Sequence, residues 1–334
     1  MTNYSKIMFS MIMIVGTVLV VSSESWLSMW MGLEMNMMAF IPLIYSEKVN
    51  STFESCMIYF LIQSMGSILM LISILMNPLF SISQTLEQEL FSMMLAISMV
   101  LKMGGPPFHF WFPEILDKMT WPGCFILMTW QKIAPMYILS CIIDLNSLFM
   151  SIITPIMVLT GSIGGLNQTS IRKIMGYSSM DHMGWMIVCM KFNNSLWMFY
   201  FLIYTIILAS IIYTFNFYST YYINQYSNKS LNFTEKFMII IAFLSLGGLP
   251  PFLGFLPKLI VIQLTIMYNS YIISMILVMT TLITLFYYIR LISSILLINS
   301  STTKWEVSQS MNNVPMTVII TINSMFPLIA IFWL

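Results

Sequence analysis

The chain is cut into apolar stretches about as long as a bilayer is thick, and the gaps between them are too short to hold a domain. A helix needs about 20 apolar residues to cross. Breaks marked by charges, Gly, Pro and Asn delimit eleven segments: 4–22, 26–45, 56–76, 90–116, 121–143, 149–167, 174–190, 195–217, 237–268, 272–298 and 315–334. The longest gaps are about 219–236 and 299–314. In hydrocarbon every backbone N–H and C=O must be satisfied inside the protein, which leaves helices as the only solution for segments of this kind. Of 334 residues 59% are hydrophobic and 7% charged, against about 25% charged in soluble domains. The predicted fold is therefore all-α and polytopic, a single membrane domain over 1–334 with about eleven transmembrane helices. The first segment follows Lys6, as a signal peptide would, but no Ala-x-Ala site follows and a second span starts almost at once. It is read as a retained helix.

The same inventory excludes whole classes of function. A net charge of +1 offers no nucleic-acid surface. Cys56, Cys124, Cys141 and Cys189 form no CxxC pair, and the two histidines, His109 and His182, are far apart. No GxGxxG or GxxxxGK[ST] loop is present. No metal, cofactor or redox centre is predicted in this chain.

Two motifs interrupt the apolar pattern. They are "LKMGGPPFHFWFPE" at 101–114 and "LGGLPPFLGFLPKL" at 246–259. Pro106, Pro107, Phe108 and Pro113 recur as Pro250, Pro251, Phe252 and Pro257, each 144 residues on. Gly104–Gly105 aligns with Gly247–Gly248 after a slip of one residue. Proline removes a backbone donor and clashes with the preceding turn, so segments 90–116 and 237–268 are predicted to be discontinuous helices. Counting from the fourth span to the ninth gives an odd offset, which inverts the second copy. Inverted repeats with broken helices mark transporter cores. The expected organisation is three N-terminal helices in 1–80, a first repeat over 90–217, a second repeat region over 195–298 that includes 237–268, and a C-terminal helix at 315–334.

Ionisable residues fall where lipid should exclude them. Glu34, Lys132 and His182 lie well inside spans, and Lys102 and Lys258 flank the two breaks. A charge at mid-membrane costs roughly 2.5–3.5 kcal/mol even on a lenient insertion scale. Lys132 is about 17 Å from either end of its helix at 1.5 Å per residue, too far to snorkel. Buried lysines lose their preference for the charged form and regain it beside a carboxylate, which suits proton exchange. A purely structural ion pair is the competing reading. Asp181, next to His182, points about 100° away from it around the helix. It is expected to face a neighbouring helix, with the hydroxyls of Tyr177 and Ser178 on its own face and no evident cationic partner. Gly161-x-x-x-Gly165 reads as a helix contact, His109 as an orienting residue in "FHFWF", and the methionines as apolar filler.

Basic residues in the gaps set an orientation. Lys6, Lys48, Lys118, Arg172, Lys173, Lys229, Lys236, Arg290 and Lys304 fall on the side of the N-terminus, and Lys191 on the other. With eleven crossings the termini are expected on opposite sides.

"WMGLEMNMMAFIPL", "LKMGGPPFHFWFPE", "TWQKIAP", "GGLNQTSIRKIMGYSSMDHMGWM" and "LSLGGLPPFLGFLPK" resemble, in this order, the subunit 2 family of animal mitochondrial NADH dehydrogenase. The resemblance runs through nearly the whole chain. It implies an antiporter-like core subunit in the membrane arm of respiratory complex I, in the mitochondrial inner membrane, lacking the first three helices of its bacterial relatives. The N-terminus would face the matrix and the C-terminus the intermembrane space. It further implies that Glu34 pairs with Lys102 before the first break, that Lys132 is the central lysine, His182 the axis histidine and Lys258 the lysine of the second broken helix. NADH, FMN, iron–sulfur clusters and ubiquinone would belong to partner subunits. Partners would be other membrane-arm subunits, including further antiporter-like ones and small accessory ones, and phospholipids. Asp181 departs from the neutral residue expected beside the histidine. The alternative reading is a stand-alone monovalent cation/proton antiporter. A structural anchor is a third, and it leaves the buried charges without a reason.

Overall fold

The computed structural model describes residues 3–45, 50–76, 86–142, 147–227, 233–297 and 313–324. They form α1 (Asn3–Ser22), α2 (Trp26–Ile44), α3 (Asn50–Met76), α4 (Leu86–Met103), α5 (Trp111–Lys118), α6 (Trp121–Met128), α7 (Trp130–Ile142), α8 (Ser147–Gly165), α9 (Ile171–Phe192), α10 (Leu196–Tyr218), α11 (Ile223–Ser227), α12 (Phe233–Gly247), α13 (Phe255–Met267), α14 (Tyr271–Leu297) and α15 (Asn313–Asn323). Among the described residues six stretches are long and apolar enough to cross a membrane: Tyr4–Ser22, Trp26–Ile44, Ser51–Met76, Trp121–Ile142, Leu196–Tyr218 and Tyr271–Leu296. Lys48, Lys229, Lys304 and residues 325–334, all used in the reading of spans and orientation, lie outside the described residues. The chain divides into two compact units, Met1–Ile153 and Thr154–Leu334.

In the first unit α1 and α2 cross backbone to backbone at two glycines. A Cβ on Gly32 would come within 2.9 Å of the Gly16 carbonyl and 2.7 Å of Val20 Cγ2. Close approach of this kind is how helices associate where lipid removes the hydrophobic drive. Tyr59, Phe40 and Trp111 pack edge to face, with centroids 5.2 and 6.3 Å apart, which seats α3 against α2 and α5. At its exposed end α5 is tied down by Lys118, which lies 3.1 Å from both Glu54 of α3 and Glu114. The hydrogen bond to Glu54, with that to Glu114 behind it, holds the Lys118 ammonium above the ordinary lysine pKa. Such exposed pairs contribute at most about 1 kcal/mol.

Segment 121–143 reads as one uninterrupted span from sequence, and here the structure differs. It consists of α6 and α7, interrupted at Thr129 (φ −115°, ψ −78°). Pro135 withholds the amide that would bond the Gln131 carbonyl. At the interruption itself Thr129 Oγ1 donates to the Phe125 carbonyl at 2.6 Å, a back-bond that bends helices.

In the second unit α8 crosses α9 at Gly161, where a Cβ would meet the Asp181 amide at 2.7 Å and the Tyr177 carbonyl at 2.8 Å. The GxxxG stretch is therefore a close helix contact. Along α14, Ile272, Met275, Met279, Leu282, Phe286 and Ile289 are exposed at spacings of three and four, while Leu277, Thr280, Thr284, Tyr287 and Leu291 are buried. The exposed stripe is apolar, as a lipid-facing surface must be. Arg290 lies within α14 rather than in a gap, and its guanidinium donates to the carbonyls of Leu166 and Gln168 just beyond the C-terminus of α8. A cation there offsets the helix dipole.

The two breaks close the preceding helix in the same way. Gly104 (φ 76°) and Gly248 (φ 77°) both adopt the left-handed conformation that glycine takes without penalty. After α4, the Gly104 amide bonds the Leu101 carbonyl at 3.1 Å and the Gly105 amide bonds Val100 at 2.8 Å. After α12, Gly248 bonds Ser245 at 3.0 Å and Leu249 bonds Leu244 at 3.2 Å. Both are Schellman closures, in which the residues past the helix end satisfy its last free carbonyls. Gly104 and Gly248 are 144 residues apart, the offset of the prolines, so the one-residue slip in the sequence alignment is removed. Pro113 and Pro257 each occupy the third position of the restarting helix, where a missing N–H costs nothing.

The second break also leans on α15. The Leu253 amide donates to the Asn323 carbonyl at 3.1 Å. Asn323 is fully buried. Its side chain accepts from Ser245 of α12 at 3.1 Å, and donates to Ser210 of α10 at 3.4 Å and to the Ile319 carbonyl at 3.0 Å.

A Cβ on Gly254 would run into the Ser245 carbonyl oxygen. Gly254→Ala is therefore expected to lower stability by about 1–3 kcal/mol or more, as overpacking against backbone does. Gly123→Ala, whose Cβ approaches nothing nearer than the flexible end of Met119 at 3.3 Å, is expected to stay within about 1 kcal/mol of the parent. Thermal unfolding of the two variants in detergent checks the contrast.

Candidate functional site

Each unit carries its own cluster of buried polar groups, gathered where helices stop and restart. In the first unit Lys102, 6% exposed, occupies the last turn of α4. A cation in that turn meets the negative end of the helix. Its stem crosses α3 at Gly66, where a Cβ would lie 2.8 Å from Lys102 Cγ. Gln63 of α3 donates to the Lys102 carbonyl at 2.9 Å. Glu34 of α2 is half-buried and its charge acts on Lys102 through space. No direct ion pair joins the two among the described contacts.

Lys132, 2% exposed, follows the interruption at Thr129. Its Nζ is 4.8 Å from the centroid of the Phe112 ring. That same ring packs on the left-handed Gly104, where a Cβ would meet Phe112 Cβ at 2.8 Å. The first break is thus built against the face that Lys132 uses. Beside Lys132, Gln131 accepts from Tyr59 at 3.2 Å and donates to Asn36 at 3.0 Å, joining α3, α7 and α2 through side-chain amides.

In the second unit Lys258 of α13, 4% exposed, reaches back across the break. Its Nζ donates to the Gly247 carbonyl, the last of α12, at 2.9 Å. The Nζ is also 5.6 Å from the centroid of the Trp185 ring. His182 faces α10: its Nδ1 shares a 2.9 Å hydrogen bond with Tyr200, and its ring centroid is 5.0 Å from that of Tyr204. Asp181 is 1% exposed. Its neighbours differ from the sequence expectation. Ser178 spends its hydroxyl on the Met175 carbonyl at 2.8 Å, and the cation expected to be missing is supplied by Lys258, whose charge and that of Asp181 act on one another.

The breaks therefore use lysine from opposite sides. Lys102 comes from the helix that ends, Lys258 from the helix that begins. The positions equivalent by the 144-residue offset are Leu246 and Glu114, and Glu114 is exposed and paired with Lys118. His109, the other candidate at the first break, stacks on Phe110 with centroids 4.2 Å apart. Sequence reasoning looked for charges and passed over Asn36, Gln131, Tyr200 and Asn323. The available signal was a lone carboxamide inside an apolar run, as in "MNMM" and "ITINSM". Among the described residues no group of three or more His, Cys, Asp or Glu side chains gathers to hold a metal.

Apolar helices, interrupted beside buried lysines, define an integral membrane protein with a broken-helix core. Residues 23–284 match the NADH:quinone oxidoreductase/Mrp antiporter transmembrane family. The chain is 44% identical over 316 residues to NADH-ubiquinone oxidoreductase chain 2 of Anopheles gambiae, a match spanning 94% of this chain and 92% of that one. It is 42% identical over 311 residues to the protein of the same name from Locusta migratoria, spanning 93% and 91%. The chain belongs to the NADH:quinone oxidoreductase/Mrp antiporter transmembrane family. Its fold is that of a chain in respiratory complex I from Thermus thermophilus, with a TM-score of 0.81 at 18% identity over 96% of this chain and 76% of that one. A chain of the membrane-bound sulfane sulfur reductase, an archaeal respiratory membrane complex, matches with a TM-score of 0.83 at 14% identity, over 98% and 73%.

The carboxamide bridge can be tested by itself. Gln131→Leu leaves Asn36 and Tyr59 buried with one partner fewer, and is expected to cost about 1–3 kcal/mol. Adding Asn36→Leu removes one of the stranded groups and should recover part of that loss. A double variant melting below the single would show that the bridge does not hold α2 to α7.

Proposed function

We propose that this chain is a core membrane-arm subunit of proton-pumping NADH:ubiquinone oxidoreductase, respiratory complex I. It moves protons and carries no redox centre. The observation that carries the reading is the near full-length relation, at 36–44% identity, to proteins named NADH-ubiquinone oxidoreductase chain 2. The chemistry agrees. Glu34, Lys102, Lys132, His182 and Lys258 are the proton-handling groups, and the buried lysines beside interrupted helices supply titratable sites inside an apolar medium. Oxidation of NADH and reduction of ubiquinone take place on other subunits, which hold FMN, the iron–sulfur clusters and the quinone. The energy released there reaches this chain as changes in the charge around its lysines.

The finer organisation is part of the same proposal. Eleven helices cross the mitochondrial inner membrane, with the N-terminus in the matrix and the C-terminus in the intermembrane space. Segments 90–217 and 195–298 are inverted repeats that each contribute one broken helix, marked by Gly104, Gly105, Pro106 and Pro107 and by Gly247, Gly248, Pro250 and Pro251. Segments 1–80 and 315–334 complete the domain. Neighbours are other membrane-arm subunits, antiporter-like and accessory, together with phospholipids. A stand-alone cation/proton antiporter remains the second reading, since a chain of the Mrp complex from Dietzia sp. DQ12-45-1b shares the fold with a TM-score of 0.76 at 13% identity. The full-length relatives favour the first.

The chain is expected to co-migrate on native gels with NADH dehydrogenase activity, and alone in liposomes to exchange no cations for protons. Exchange by the isolated chain would favour the antiporter. Within the complex, Lys132→Met keeps an apolar stem and removes the titratable amine. It is expected to lower NADH-driven proton pumping at least tenfold, a rise of about 1.4 kcal/mol or more in the barrier of the rate-limiting step; unchanged turnover and proton yield would make Lys132 structural. Protease added to inside-out membranes should cut a tag at the N-terminus and spare one at the C-terminus. Cleavage of both would remove the eleven-span count.

A further inference from the structure

Resting on the reading of Lys258 as a proton-handling group, we propose that Asp181 is the partner with which Lys258 exchanges its proton. The two residues share one face. Trp185 is four residues after Asp181 on α9, so both side chains point the same way, and the Lys258 ammonium lies over the Trp185 ring at 5.6 Å. Lys258 therefore runs along the Asp181 face of α9, while His182 turns away to Tyr200 and Tyr204 of α10. Asp181 is buried, and its Oδ1 has no hydrogen-bond partner in the structure. An orphaned carboxylate oxygen in an apolar interior costs on the order of 1–3 kcal/mol or more. Such a cost marks a group held ready for a partner.

Lys258 has the means to be that partner. At rest its Nζ donates to the Gly247 carbonyl, closing the end of α12, and its charge is already felt at Asp181 without direct contact. The lysine stem has four rotatable bonds. Rotation takes the ammonium off the helix end and onto the carboxylate. A proton then passes from Nζ to Oδ1: Lys–NH3+ and Asp–COO− become Lys–NH2 and Asp–COOH, with no change in net charge. The neutral amine is free to take the next proton, and the carboxylic acid to release its own. Around the pair stand Tyr200 of α10 and Tyr287 and Tyr288 of α14, on all of which the Asp181 charge acts. Tyr287 and Tyr288 interact through their hydroxyls, a place for the released proton to pass.

The test uses the assembled complex in proteoliposomes, with NADH-driven proton uptake as the readout and native gels to score assembly. Asp181→Asn keeps shape and hydrogen bonding but cannot take a proton. It is expected to lower pumping about tenfold, Asp181→Glu to restore at least half of it, and the double variant Asp181→Asn/Lys258→Met to be no worse than Lys258→Met. A merely structural aspartate would be satisfied by asparagine. Normal pumping by Asp181→Asn, alongside a defective Lys258→Met, overturns the pair and leaves the proton-handling role of Lys258 intact. Normal pumping by Lys258→Met overturns both. If Asp181→Asn does not assemble, infrared difference spectra of the parent complex during turnover decide. A carboxylic C=O band that shifts in Asp181→Glu supports the exchange, and a spectrum identical in the two proteins overturns it.

Discussion

A helix that stops inside hydrocarbon leaves carbonyls with no water to bond, and how that debt is settled organises both units. Each break closes its last turn with a left-handed glycine and a Schellman pair of hydrogen bonds. The second break needs more. One carbonyl, at Gly247, is taken by Lys258, and one amide, at Leu253, is given to Asn323. A group that makes an interrupted helix tolerable in lipid, Lys258, is thus also a buried titratable one.

This double use gives a reason for the location of the lysines. The C-terminal end of a half-helix is electronegative, and a cation there is stabilised before any carboxylate is considered. Lys102 lies in the last turn of α4, and Lys258 bonds the last carbonyl of α12. The Lys258 ammonium is held by a backbone carbonyl that cannot be titrated away. The acidic groups, Glu34 and Asp181, act on them from neighbouring helices without ion-pair contact. Moving a carboxylate by a small distance therefore changes the lysine's environment without dismantling the cap.

Much of this was legible in the sequence because the membrane imposes so few solutions. Apolar length and punctuation placed most of the described helix ends to within a few residues, and the repeated PPF-x4-P marked both breaks. Charged residues in apolar runs marked where buried polar groups gather. Other features were hidden. The interruption falls at Thr129, whose back-bond to the Phe125 carbonyl leaves no distinctive trace in the sequence. The slip in the glycine alignment arose because two adjacent glycines look alike in sequence, and only the backbone angle distinguishes the one that must be glycine. Asp181 was expected to lack a cation because Lys258 is 77 residues away in the chain (258 − 181), and pairing over that separation is set by helix packing. Asn36 and Asn323 were missed because a carboxamide carries no charge to draw attention.

The bond between Leu253 and Asn323 has a consequence for how the protein is made. A chain threaded into the membrane from its N-terminus reaches Leu253 long before it reaches Asn323, 70 residues later (323 − 253). Until α15 arrives, the break carries an amide that nothing in the nascent chain satisfies, and Ser245 and Ser210 lack the side chain that joins them. The broken helix must wait, part-built, near water or in the care of another protein. Its final form is set only once α15 is in place, so a break made early is finished by a helix made late.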